Sequence, residues 1–154
     1  MRNDVREGRR RTALDAALGF LSRRSHGRSE LAAKLRRRGF PLDEVDAALA
    51  RVVELGYVDD RDTASRAARS LLERRKGLRA VEAWLRGRGF EAATIREIVS
   101  DEGLREAEEE ACRRALERLD DDEDRLRLAA RLRSRGFRDE TVEKVVWDRC
   151  PSRS

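Results

Sequence analysis

The sequence predicts an all-α chain of three tandem three-helix repeats forming an elongated modular rod, and three observations carry that prediction. One short string recurs three times, the apolar residues around it keep a helical period, and no run of alternating branched residues competes as a strand. The string is L-R-x-R-G-F, read as LRRRGF at 35–40, LRGRGF at 85–90 and LRSRGF at 132–137, with spacings of 50 and 47 residues. Repeats of that length are each too small to bury an apolar face alone and gain a core by stacking. Charged residues make up 44% of the 154, against about 25% in an ordinary soluble domain, so the apolar material is divided among small cores under a large charged surface. This favours the elongated shape. The repeats are placed at 12–56, 57–103 and 104–149.

Each repeat opens with a helix that carries an apolar face of alanine and leucine. The face consists of Leu14, Ala17, Leu18 and Leu21 in the first copy, and of Ala64, Ala67, Ala68, Leu71 and Leu72 in the second. In the third it consists of Ala107, Ala111, Ala115, Leu116 and Leu119. Gly27 and Gly77 break the first helix from the second. The second helix is short and carries Leu31 and Leu35, Val81 and Leu85, or Leu128 and Leu132 one turn apart. The glycine of each string fits the left-handed position that ends a helix, and the phenylalanine after it can fold back over the last turn. The third helix follows: Val45, Ala48, Leu49, Val52 and Val53 run i, i+3, i+4, i+7, i+8, with Ile95, Ile98 and Val99 or Val142, Val145 and Val146 at the same offsets. Asp59–Asp60 and the acidic run Asp120–Asp124 read as polar joints suited to helix starts, where carboxylates favour the positive end of the dipole.

Charge alternates along the array. Residues 21–40 hold seven basic side chains against Glu30; 61–90 hold nine against Asp62, Glu73 and Glu82; 125–138 hold six arginines and no acid. Residues 41–60 carry six acids against Arg51, and 106–124 carry ten against Arg113, Arg114 and Arg118. The net charge of +5 therefore understates each local field. Thirty-three of the 36 basic residues are arginine, whose planar fork suits phosphate and carboxylate. A row of basic helices suits a long polyanionic partner. The candidate contacts are Arg23, Arg24, Arg28, Arg36, Arg37, Arg74, Arg75, Lys76, Arg79, Arg86, Arg131 and Arg133. The aromatic residues, Trp84, Trp147 and Tyr57 among them, fall mostly at core or capping positions and read as packing.

Catalysis is not expected. His26, the lone histidine, sits beside a loop glycine and reads as a solvated loop residue; Cys112 falls on an apolar helix face and reads as core, and Cys150 as a tail thiol. No nucleophile elbow, phosphate-cradling glycine loop or metal spacing occurs, so no cofactor and no metal are expected. Two cysteines without a disulfide framework point to a reducing compartment. No run approaches the roughly 20 apolar residues of a membrane span, and the basic stretch Met1–Arg11 lacks the apolar segment of a signal peptide. The expectation is a cytoplasmic monomer that does not engage a membrane.

The repeated string, with Glu30–Leu31 before it and Gly56-Tyr57-Val58-Asp59-Asp60 after the first repeat, resembles the RecX family of RecA regulators. Those proteins carry R-x-x-S-x-x-E-L, then L-x-x-[KR]-G-[FYI], then a G-Y-[LIV]-[DN]-D joint. The resemblance spans about residues 12–149, with Gly27 where serine is usual and Thr63 where an aromatic is usual. It implies a curved rod of three bundles that binds the RecA–DNA filament and restrains its recombinase, ATPase and co-protease activities. The alternative is an autonomous protein that binds single- or double-stranded DNA directly through arginine-rich helices.

Overall fold

The computed structural model describes residues 11–119 and 124–149. The stretch 1–10, the acidic run at 120–123 and Cys150, on which expectations were placed, lie outside the described residues. Among the described residues there are nine helices and no strand. None of these helices is long and apolar enough to cross a membrane. The chain divides into two units, one ending at Asp59 and the other beginning at Asp60.

The first unit is a single three-helix bundle. Its helices are α1 (Ala13–Leu21), α2 (Arg28–Arg37) and α3 (Leu42–Glu54). A reciprocal cap starts α1: the Thr12 hydroxyl accepts the Asp15 N–H at 3.1 Å, and the Asp15 carboxylate accepts the Thr12 N–H at 3.1 Å. Ala13, Ala16 and Ala17 are buried and let α1 lie close against α3. Leu31 and Leu35 of α2 complete the core with Val45, Ala48, Leu49 and Val52 of α3. Val53, expected on the same stripe, is 41% exposed. It stands one residue, about 100°, round from Val52 and falls off the edge of the buried face.

The second unit joins two bundles on one continuous core. One bundle is α4 (Asp60–Glu73), α5 (Leu78–Gly87) and α6 (Ala92–Ser100); the other is α7 (Glu102–Leu116), α8 (Arg125–Ser134) and α9 (Asp139–Arg149). Helices α4 and α6 both pack on α7, so core residues from Ala64 to Val146 form a single cluster. Cys112 lies inside it, fully buried, and burial pushes its thiol up to about 12.

Helix ends in this chain follow one chemistry. After α2, α5 and α8 the glycine of the repeated string adopts positive φ (Gly39 +86°, Gly89 +77°, Gly136 +86°). The phenylalanine N–H then donates back to the carbonyl of Leu35, Leu85 or Leu132, and the glycine N–H to that of Arg36, Arg86 or Arg133. This is the Schellman pattern that the spacing predicts. Gly56 ends α3 in the same way, with the Tyr57 N–H on the Val52 carbonyl at 2.9 Å. The end of α4 makes both bonds too, but its left-handed residue is Arg75, at φ +58°.

Backbones come unusually close where the two bundles of the second unit meet. Gly77, the N-cap of α5, donates its N–H to the Arg135 carbonyl at 3.0 Å, and the Arg79 N–H donates to the Gly136 carbonyl at 3.0 Å. A Cβ on Gly77 would lie 2.2 Å from the Gly136 oxygen, and one on Gly136 would lie 2.6 Å from the Ala80 nitrogen. Only glycine permits that approach. The position equivalent to Gly77 in the next bundle, thirteen residues before the phenylalanine, is Asp124, whose carboxylate caps α8 by accepting the Arg127 N–H at 3.0 Å.

One carboxylate pins the same junction from inside. Glu108 of α7 is 0% exposed, with Oε1 accepting the Leu78 N–H at 2.8 Å and the Arg138 N–H at 3.2 Å. Its Oε2 accepts the Arg138 Nε–H at 2.6 Å and the Thr141 hydroxyl at 3.0 Å. The side chain thus ties α7 to the first turns of α5 and α9. A buried charge is tolerable only when paired and hydrogen-bonded in this way.

Candidate polyanion-binding site

The candidate basic residues fall on both units. Arg23, Arg24, Arg28, Arg36 and Arg37 lie on the first, all exposed. Arg24 pairs with Glu30, which also faces Lys34 at 3.9 Å. On the second unit Arg74, Lys76, Arg79, Arg86, Arg131 and Arg133 are exposed, and Arg75 is half-buried at its left-handed turn. Arg86 pairs with Glu82 one turn away, an arrangement that neutralises it locally.

Three of these residues converge. Lys76 and Arg79, at the start of α5, and Arg133, at the end of α8, line an open hollow of about 360 Å³ at the junction of the two bundles. Arg135 and the half-buried Trp84 share the lining, and no carboxylate does. The Gly77–Gly136 approach makes the hollow, because it draws the first turn of α5 onto the α8–α9 turn and so brings cations 50 or more residues apart in the chain onto one surface. Asp139 lies beside it, accepting from Arg133 Nε at 2.8 Å and from Arg79 at 2.8 Å. The hydrogen bond from Arg133, reinforced by the charge of Arg79, holds its carboxyl below the usual carboxylate range. Asp139 therefore stays ionised and fixes both guanidiniums in place, while the surplus of positive charge faces the hollow. Such a surface recognises phosphate or carboxylate through charge-assisted hydrogen bonds. Among the described residues no cluster could hold a metal ion.

Arg135 was not among the sequence candidates, although it belongs to the repeated string. The three equivalent arginines, Arg38, Arg88 and Arg135, each sit at the C-cap of the second helix of a repeat. Arg38 lies 4.8 Å over the Phe20 ring and Arg88 4.8 Å over the Trp84 ring, so these two serve packing, whereas Arg135 lines the hollow.

The structure departs from the sequence expectation at His26 and at two aromatic residues. His26 is not solvated but 2% exposed: its Nδ1 meets the Arg24 carbonyl at 2.9 Å, its Nε2 accepts from Lys34 at 3.0 Å, and Phe20 covers it. The Gly27 turn folds the ring inward under α2, which sequence spacing alone does not reveal. Nor are all the aromatics packing residues. Trp147 and Tyr57 are 56% and 59% exposed. Trp147 stands about 100° beyond Val146, away from the face that Val142 and Val145 bury.

Comparison with known proteins agrees with this architecture. Residues 13–51 match the family model described as RecX, first three-helix domain. Regulatory protein RecX of Chlorobaculum tepidum is 34% identical over 148 residues, covering 91% of this chain and 89% of its own length. That of Thermus thermophilus is 40% identical over 125 residues, covering 81% and 83%. The crystal structure of RecX from Lactobacillus salivarius aligns with a TM-score of 0.78 at 18% identity over 88% of this chain and 93% of that one, which supports the all-helical fold. An array of three-helix repeats with relatives of this name and coverage has one assignment: the chain belongs to the RecX family of regulatory proteins.

Proposed function

We propose that this protein binds the RecA nucleoprotein filament in the cytoplasm and restrains its recombinase, ATPase and co-protease activities, acting by binding and not by catalysis. Family membership supports the regulatory role, and the observation that carries the mode of action is the hollow formed by Lys76, Arg79, Arg133 and Arg135. Four cations around a space without a lining carboxylate suit the phosphates of filament-bound DNA or an acidic RecA surface. The remaining basic residues of α2 and α8 extend the same preference, and the acidic helices α3 and α7 disfavour indiscriminate attachment to bare DNA. No cofactor enters this reading.

The test is a RecA reaction on single-stranded DNA with this protein added as a monomer. ATP hydrolysis and strand exchange should slow, no hydrolysis should occur without RecA, and the filament should be bound more tightly than bare DNA. Equal binding to both with unchanged RecA activity would favour the autonomous DNA-binding reading instead.

A further inference from the structure

The third bundle carries a second surface of different chemistry. Between α8 and α9 runs an open groove of about 700 Å³. Leu126 and Trp147 stand along it with 81% and 56% exposure, over a floor that includes Val146. Arg125 lies 4.8 Å over the Trp147 ring and holds it in place. The bundle's own core does not require these two large side chains. Counting from the phenylalanine of each repeat, the position of Leu126 is Ser29 in the first copy and Arg79 in the second, and the position of Trp147 is Ala50 and Ser100. Only the third copy is large and apolar at both, although the core positions match throughout.

The charges around the groove define what fits it. Arg125, Lys144 and Arg133, the last shared with the basic hollow, line it with Glu143 and Asp148, so both signs are present. A nucleic-acid strand laid there would meet two carboxylates, in contrast to the basic hollow, which has none in its lining. A protein segment can satisfy both signs and also cover Leu126 and Trp147. An exposed tryptophan braced by an arginine has the composition of an interface hot spot, and Leu126 adds apolar area beside it.

We propose that the α8–α9 groove docks an amphipathic helical segment of a partner protein, one with two large apolar side chains a turn apart, a carboxylate toward Arg125 or Lys144, and a cation toward Glu143 or Asp148. This rests on the function proposed above, under which the partner is a RecA subunit. The molecule then holds its target by two chemistries, with phosphates or carboxylates at the hollow and an apolar helix at the groove.

The experiment compares binding of full-length Leu126→Glu, Trp147→Ala and Trp147→Phe chains to RecA filaments on single-stranded DNA and to the same oligonucleotide bare. Leu126→Glu and Trp147→Ala should each weaken filament binding about ten-fold or more, Trp147→Phe should retain most of it, and bare-DNA binding should change less than about two-fold. Circular dichroism melts should match wild type, because both side chains are exposed. Unchanged filament binding by the two disruptive variants, with wild type binding normally, overturns the groove and leaves the regulatory reading intact. Failure of wild type to bind filaments overturns both. Parallel loss of bare-DNA binding makes the groove a nucleic-acid surface. A wild-type dimer in sedimentation equilibrium that Leu126→Glu dissociates gives it to a second copy; either result overturns the proposal.

Discussion

His26 is the chain's only histidine, so its titration can be followed without ambiguity. Lys34 donates to its Nε2, which requires a neutral ring with the proton on Nδ1, facing the Arg24 carbonyl. Burial lowers its pKa below 6.5, with the charges of Arg24 and Lys34 acting the same way and the Arg24 carbonyl and Glu30 opposing. Because the folded pKa is depressed, the unfolded chain binds the extra proton first. The stability contributed by this histidine is present above about pH 6.5 and lost as pH falls through the folded value. The His26 Cε1–H shift followed by NMR should titrate below 6.5, and His26→Gln should flatten the dependence of the melting temperature between about pH 5 and 7. A midpoint at or above 6.5 would contradict the buried placement. Arg75 offers a second measurement at this scale. It occupies a left-handed position that glycine fills at the four equivalent helix ends described, so Arg75→Gly should raise stability by about 1 kcal/mol in urea unfolding.

Glu108 acts between elements. Removing it by Glu108→Ala takes the acceptor from the Leu78 N–H, the Arg138 Nε–H and the Thr141 hydroxyl at the starts of α5 and α9, so unfolding of the second unit should be easier by about 3–5 kcal/mol. Hydrogen exchange should localise the loss to α5, α7 and α9 and leave α1–α3 as protected as before. The helices themselves were legible in the sequence: the repeat string fixed where α2, α5 and α8 end, because glycine at a helix terminus has one conformational use. Glu108 was not legible. It stands among Glu106, Glu109 and Glu110 on a helix whose acidic run reads as solvated, and its burial depends on the backbone of a helix thirty residues away. The same limit hid His26 and Trp147, whose positions depend on how the chain turns about Gly27 and on which side of α9 faces its neighbours.

At the scale of the whole molecule, charge sets behaviour. Affinity for single-stranded DNA should fall linearly with the logarithm of salt, and replacing Lys76 and Arg135 with alanine should reduce the slope by about 0.7 for each phosphate no longer neutralised. Mobility shifts across a salt series check this; an unchanged slope would place the DNA on other cations. The basic stretches were visible in the sequence, and so were Lys76, Arg79 and Arg133, but their meeting in one hollow was not, since it depends on the approach of Gly77 to Gly136. That approach also sets the second and third bundles apart as partners. The second bundle receives the third because residue 77 has no side chain to obstruct it. The third offers Asp124 at the same place, with a Cβ in the way and a carboxylate already committed to its own helix. The glycine-on-glycine joint of residue 77 could not be copied at residue 124, where a Cβ would occupy the space that the approaching backbone takes. Gly77 is a socket and Asp124 a plug, so the two bundles are repeats in sequence but not interchangeable as neighbours.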